Sequence, residues 1–255
     1  MLAALVRRLR ERRPPAVPHP GPVRGEQVPG LGKSGTLRAA IFGVNDGLVS
    51  NVSLIMGVAG AGVSNRFILL AGVAGLLAGA CSMGAGEYTS MRVQREVFER
   101  LLHLEAHELA EMPEEERREL AEIYRRKGLS AELADRIALE LMRDPGVALE
   151  THAREELGLD PDELGSPWGA AVSSFLTFAF GALVPLAPFL VATGNAAVVA
   201  SAALSGAVLF AVGAAMSLFT GRHAPLSGLR MLLVGGLAAA ITYGVGRLLH
   251  VNAAS

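Results

Sequence analysis

The sequence holds a single cysteine, Cys81, inside an apolar run, so neither a disulfide nor a thiolate metal cluster can form within one chain. The redox compartment is therefore left open. Charge is scarce as well: charged residues make up 18% of the 255 and aromatics 5%, against 51% hydrophobic, and mean hydropathy is +0.39, more than a water-facing surface tolerates. The apolar surplus needs lipid. Residues 168–220 hold no charge at all, whereas residues 92–163 hold most of the acids, so two chemistries alternate along the chain. A formal net charge of −1, with no basic stripe once the N-terminal arginines are set aside, excludes a nucleic-acid binder. A secretory signal is a poor fit, because the N-terminal apolar piece precedes the charges and is short.

What is present is a set of long apolar runs. A membrane-crossing helix takes roughly 20 mostly apolar residues, and five segments qualify: 39–61, 67–88, 168–192, 196–219 and 226–246. The first two are joined by five residues, which predicts an antiparallel hairpin. The last is the weakest, since Arg230 and Arg247 bracket it and must snorkel. The N-terminal tail carries Arg7, Arg8, Arg10, Arg12, Arg13, Arg24, Lys33 and Arg38, and its five prolines between 14 and 22 predict a disordered segment. By the arginine and lysine balance the tail stays in the cytoplasm, Arg222 and Arg230 lie on the same side, and an odd helix count sends the C-terminus outside.

Between the second and third spans, residues 92–167 are of mixed charge with helical periodicity. Breaks at Met112–Pro113, Lys127–Gly128 and Pro145–Gly146 predict a bundle of three or four helices on the cytoplasmic side. Its first helix is expected to run straight out of the second span, as nothing between Tyr88 and Glu111 breaks a helix.

Asp46 is the strongest chemical signal, because a carboxylate within a bilayer span costs on the order of 2.5–3.5 kcal/mol. Asn45, Ser50 and Asn51 add polar atoms nearby, as metal ligands or as simple glue between helices. On the second span Met83 and Glu87 are four apart on one face, a soft sulfur beside a hard oxygen, which suits Fe²⁺; packing is the plainer role for Met83. Gly72, Gly75, Gly79, Gly84 and Gly86 are expected to let the first two helices approach closely. In the polar segment Glu105 and Glu108 are three apart and Glu116 and Glu119 repeat the spacing, so two antiparallel helices can converge four carboxylates on a metal. His152 and Glu156 offer an i,i+4 pair of nitrogen and oxygen ligands. Spacing alone favours a solvated acidic face salt-bridged to Arg117, Arg118 and Arg154, and it reads His103 and His107 as surface residues.

The blocks Ile41-Phe-Gly-Val-Asn-Asp-Gly-Leu-Val-Ser-Asn51, Ser82-Met-Gly-Ala-Gly-Glu-Tyr88 and Gly181-Ala-Leu-Val-Pro-Leu-Ala-Pro-Phe189 resemble the vacuolar iron transporter family, with its bacterial and nodulin-like branch. The resemblance spans about residues 38–246. It implies an all-α membrane protein with five transmembrane helices and a cytoplasmic helical metal-binding domain inserted between helices 2 and 3. The corresponding division is a tail over 1–37, helices 1 and 2 over 38–91, the metal-binding domain over 92–167 and helices 3 to 5 over 168–255. It implies a homodimer with a pore on the two-fold axis that exports cytosolic Fe²⁺, or Mn²⁺, in exchange for protons. Asp46 and Met83 match the family's pore residues; Glu105, Glu108, Glu116, Glu119 and Glu156 match the carboxylates of its metal-binding domain. Two positions depart. Plant-type members have a second pore carboxylate where this chain has Gly75, which nominates Glu87 as the substitute, and they have methionine where His152 stands.

The expectation is a multi-pass transporter of the cell membrane with no catalytic residues and no resident cofactor, its partners being lipid, divalent metal ions, protons and a second copy of itself. The rival is a membrane-anchored metal sensor or buffer without transport. A di-iron enzyme is disfavoured, since the chain lacks the Glu-x-x-His pairs such a site needs.

Overall fold

A computed structural model describes residues 35–159 and 165–249, so the expected tail up to residue 34 and the last six residues lie outside the described part. The described residues form eight α-helices and no strand: α1 (Gly35–Gly60), α2 (Asn65–Glu111), α3 (Pro113–Arg126), α4 (Ala131–Leu141), α5 (Pro145–Glu155), α6 (Pro167–Val191), α7 (Gly194–Thr220) and α8 (Ala224–Leu249). Five of them, α1, α2, α6, α7 and α8, are long and apolar enough to cross a bilayer.

The helix ends follow local chemistry. Pro113 opens α3, with Glu114, Glu115 and Glu116 in its first turn and Arg125 and Arg126 in its last, which suits the helix dipole at both ends. Past its end Gly128 takes φ +100°, a left-handed excursion that glycine makes without steric cost. Ser130, Asp144 and Ser166 cap α4, α5 and α6 by accepting hydrogen bonds from first-turn amides.

Helix α2 runs 47 residues without a break. At about 1.5 Å per residue it is roughly 70 Å long, more than twice the roughly 30 Å hydrocarbon slab. Its apolar half ends near Tyr88, whose ring lies 4.9 Å from that of Trp168 at the start of α6, an aromatic pair of the kind that sits at headgroup level. Beyond it the helix is polar, and α3, α4 and α5 gather there, making their substantial outside contacts with α2 alone. Leu120, Ala121 and Ala138 form a small core of their own.

In the apolar half the expectation of a tight α1–α2 pair is corrected. Helix α6 wedges between them and makes the most extensive contacts with both. Of the α2 glycines, Gly79 faces the Phe178 ring and Gly84 faces Ala171 and Phe175, all on α6; Gly72 meets Leu186 of α6 and Ile55 of α1; only Gly75 looks wholly onto α1, towards Leu54 and Asn51. Between α1 and α6 the backbones approach most closely at Gly47 on α1 and Gly181 on α6. A Cβ on Gly47 would sit on the carbonyl oxygen of Phe178, and one on Gly181 on that of Val44, so each helix uses the other's missing side chain. Hydrogen bonds fasten α6 on two sides: Asn51 Nδ2 of α1 donates to Ala182 O at 2.7 Å, and Ser201 Oγ of α7 donates to Pro185 O at 2.7 Å. Because the Gly47 obstacle is backbone, it cannot swing aside. Gly47→Ala is expected to destabilise the fold by about 1–3 kcal/mol, read as a lower heat-denaturation midpoint in detergent, whereas Gly86→Ala, mid-helix and with nothing within 4 Å, does not lower the midpoint and raises it slightly through helix propensity.

Candidate functional site

Helical spacing builds the first site. Asp46, Ser50, Asn51 and Leu54 form one stripe of α1, and Gly75, Gly79, Ser82 and Met83 one stripe of α2. The two stripes, with Phe178 of α6 behind, line a groove of 410 Å³. Asp46 is exposed on it, and its carboxylate has neither a hydrogen bond nor an ion pair among the described residues. The groove thus gathers a carboxylate, two hydroxyls, an amide and a thioether inside the apolar half of the molecule, where a lone acid is costly.

Asn51 contributes more than its sequence position suggests. It is 2% exposed, and its Nδ2 is spent on Ala182, so the amide is held in one orientation with Oδ1 left over. That oxygen is buried without a partner and lies 3.0 Å from where a Cβ on Gly75 would be. An unmatched buried acceptor costs about 1–3 kcal/mol, and a cation beside it would recover that cost. The signal available in the sequence was its place on the Asp46 stripe.

Asn45 and Glu87 are not brought to the groove. Asn45 leaves an unpartnered Oδ1 elsewhere on α1. Glu87 lies at the level of the aromatic pair, its side chain 17% exposed, with Oε2 3.8 Å from Nη2 of Arg38. Having an arginine as neighbour, it does not fill the place opposite Asp46 that Gly75 leaves open.

The second site lies on the polar half of α2, about 25 Å beyond Tyr88 by helix rise. Glu105 of α2, Glu116 of α3 and His152 of α5 present ligand atoms all within 4.8 Å of one another, and so do Glu116, Glu119 and Glu156. Glu116 is common to both sets. Glu108 is in neither, though its charge reaches Glu105, Glu116 and Glu156. His152 and Glu156 lie one turn apart on α5 and both reach Glu116, His152 in the set with Glu105 and Glu156 in the set with Glu119.

His152 is fully buried, with Nδ1 2.9 Å from Ala148 O and Nε2 3.3 Å from Glu116 O and 3.9 Å from Glu116 Oε2. Giving the proton to the shorter contact makes Nδ1–H the donor and turns the Nε2 lone pair towards Glu116, the arrangement in which a carbonyl orients a metal-binding imidazole. Glu105, 3% exposed, has Oε1 with no partner. Acceptors therefore face acceptors, and only a proton or a cation can reconcile them.

Among the described residues, Arg117 and Arg154 form ion pairs with acids outside the cluster. Arg117 reaches Glu114 at 3.2 Å and Asp135 at 3.9 Å, and Arg154 reaches Glu150 at 2.8 Å. Burial, and next the charge of Glu156, push Glu105 up to about 7. Glu116 is raised by burial against the lowering effect of His152, and Glu156 by desolvation and then by Glu119. In all three groups the surroundings favour the protonated, neutral carboxyl over the ionised one.

The chain is 32% identical over 212 residues to vacuolar iron transporter 1 of Tulipa gesneriana, covering 83% of this chain and 86% of the relative. It is 36% identical over 217 residues to the vacuolar iron transporter of Acanthamoeba castellanii, covering 85% and 79%, and likewise 36% identical over 217 residues to vacuolar iron transporter homolog 1 of Oryza sativa subsp. japonica, covering 85% and 75%. The sequence profile of the VIT family matches residues 37–247, a stretch that takes in the groove, the carboxylate cluster and all five apolar helices, and the chain belongs to that family.

Proposed function

We propose that this protein carries Fe²⁺, with Mn²⁺ as a second cargo, out of the cytosol across a membrane in exchange for protons. The observation that carries the reading is the pairing of two sites of different character: a shared groove with one unpaired carboxylate and a thioether in the apolar half, and a buried carboxylate–imidazole cluster on the polar half of the same helix. The relatives' names, vacuolar iron transporter in Tulipa gesneriana and in Acanthamoeba castellanii, support the cargo. An acidic cluster raises the local concentration of divalent ions before the pore entrance. Asp46 then holds either the ion or a proton, since its single negative charge favours whichever is supplied from the side to which it is open. Selection among metals must draw on geometry and supply, because nitrogen, oxygen and sulfur sites generally bind Zn²⁺ and Cu²⁺ more tightly than Fe²⁺ or Mn²⁺.

The groove opens on the surface of a single chain, so a lone protomer would offer Asp46 to lipid. A second copy related by a two-fold axis would close it and set two carboxylates across one passage. The arginine balance supports a cytoplasmic side for the polar helices. The test is flux into proteoliposomes whose protein exposes its polar domain outward. Fe²⁺ uptake should rise with an acid-inside pH gradient and bring alkalinisation of the lumen; uptake indifferent to the gradient would remove the antiport, and Mn²⁺ uptake without Fe²⁺ uptake would remove the iron.

A further inference from the structure

The last third of the chain carries positive charge with nothing to balance it. No aspartate or glutamate occurs after Glu163, yet Arg222, Arg230 and Arg247 are there. Two of these arginines converge. Arg222, in the turn between α7 and α8, and Arg230, in the second turn of α8, line one pocket of 390 Å³ together with Ser227, Met216, Met231 and Val234. Neither guanidinium has an ion pair or hydrogen bond among the described residues. The start of α8 adds the positive end of a 26-residue helix dipole, and the Ser227 hydroxyl adds a donor. At the back, Gly213 of α7 is pressed against Ser227 and Gly228 of α8, which closes the pocket towards the core.

The position matters as much as the charge. With five crossings, the α7–α8 turn falls on the membrane face from which the polar half of α2 emerges, where two apolar helices end and begin. Around the pocket the α8 surface is apolar, with Leu226 65% and Leu233 61% exposed. Two cations above a lining of methionine and valine match a molecule that is anionic at one end and apolar at the other. A phosphate diester answers the guanidinium fork in both geometry and charge, and basic pockets between membrane helices on the cytoplasmic side hold such headgroups. The volume is that of a small-ligand site.

We propose that the pocket between α7 and α8 binds an anionic phospholipid, its phosphate held by Arg222, Arg230 and the Ser227 hydroxyl, its first methylenes lying on Met216, Met231 and Val234. The test uses the full chain, delipidated in a neutral detergent and titrated with short-chain phosphatidylglycerol, short-chain phosphatidylcholine or inorganic phosphate, with binding followed by native mass spectrometry and by the heat-denaturation midpoint. Phosphatidylglycerol is expected to bind more tightly than phosphatidylcholine, and the double variant Arg222→Gln/Arg230→Gln to lose roughly 25-fold of that affinity. Arg222→Lys/Arg230→Lys should recover part of it, having the charge without the fork, and Arg247→Gln, at the other membrane face, should lose none. Both arginines are exposed and without partners in the fold, so the variants should fold. Equal phosphatidylglycerol binding by the glutamine variant would overturn the proposal. So would stabilisation by inorganic phosphate as large as that by the lipid, which would make the occupant a soluble anion.

Discussion

Asp46→Asn should lower metal flux in proteoliposomes by about 100-fold or more while leaving the heat-denaturation midpoint where it was. Loss of groups that merely orient a metal ligand costs roughly 10–100-fold, and loss of a ligand is at least as severe. Fold stability should not follow, because the Asp46 side chain is exposed on the groove and receives no hydrogen bond in the fold; the contact at this residue is Ser50 Oγ donating to its backbone carbonyl, which asparagine retains. Asparagine also keeps the size and an oxygen, so the change isolates the charge. With the carboxylate gone, the groove still holds the Asn51 oxygen and the Met83 sulfur, both neutral, and neither can trade a divalent ion for a proton. The proton movement that accompanies flux should therefore vanish with it. Wild-type flux in Asp46→Asn would mean that ions cross elsewhere, and the groove would be reduced to a packing defect between α1 and α2.

Much of the architecture was legible in residue order, because the relevant signals are local. Five apolar runs of bilayer length, the proline at 113, the glycine at 128 and the proline at 145 each act through a few neighbouring residues, and the helices begin and end beside them. The prominence of Asp46 was legible for the same reason: a carboxylate in an apolar run is costly wherever the run goes. What could not be read was which face meets which neighbour. The α2 glycines signal close approach, but glycine carries no side chain to say to whom, and α6 rather than α1 took most of them. Glu87 follows Met83 by one turn, yet a turn rises about 5.4 Å, enough to carry it out of the groove to the level of Arg38. His152 and Glu156 share a helix side, but the imidazole turns inward beneath Glu116 while the carboxylate stays near the rim with Glu119. Among the described residues Arg117 pairs with Glu114 and Arg154 with Glu150, acids on their own helices, while the carboxylates of the cluster raise one another's pKa.

That unrelieved charge makes Glu105→Gln act in opposite directions on the empty and the metal-loaded protein. In the wild type, burial first, then the carboxylates of Glu156, Glu116 and Glu108, oppose ionisation of Glu105, with His152 pulling the other way, and its folded pKa is about 7 against an ordinary 4.5. The folded state therefore binds a proton that the unfolded chain has already released. The stability this proton contributes is present in full below about pH 4.5 and is lost as pH rises towards 7. Glutamine cannot ionise, so in chelator the Glu105→Gln protein should melt higher than the wild type at about pH 8 and lose less of its midpoint between about pH 5 and about pH 8. With metal the order reverses. A divalent ion needs the ionised carboxylate, so Mn²⁺ should raise the wild-type midpoint far more at the higher pH, and Glu105→Gln should weaken its binding by roughly 10–100-fold or more. The crossing of these two curves is the distinguishing result. A carboxylate that served only as a solvated surface would shift neither, and equal pH dependence of wild type and variant in chelator would show that Glu105 does not hold the proton on which the exchange at this cluster depends.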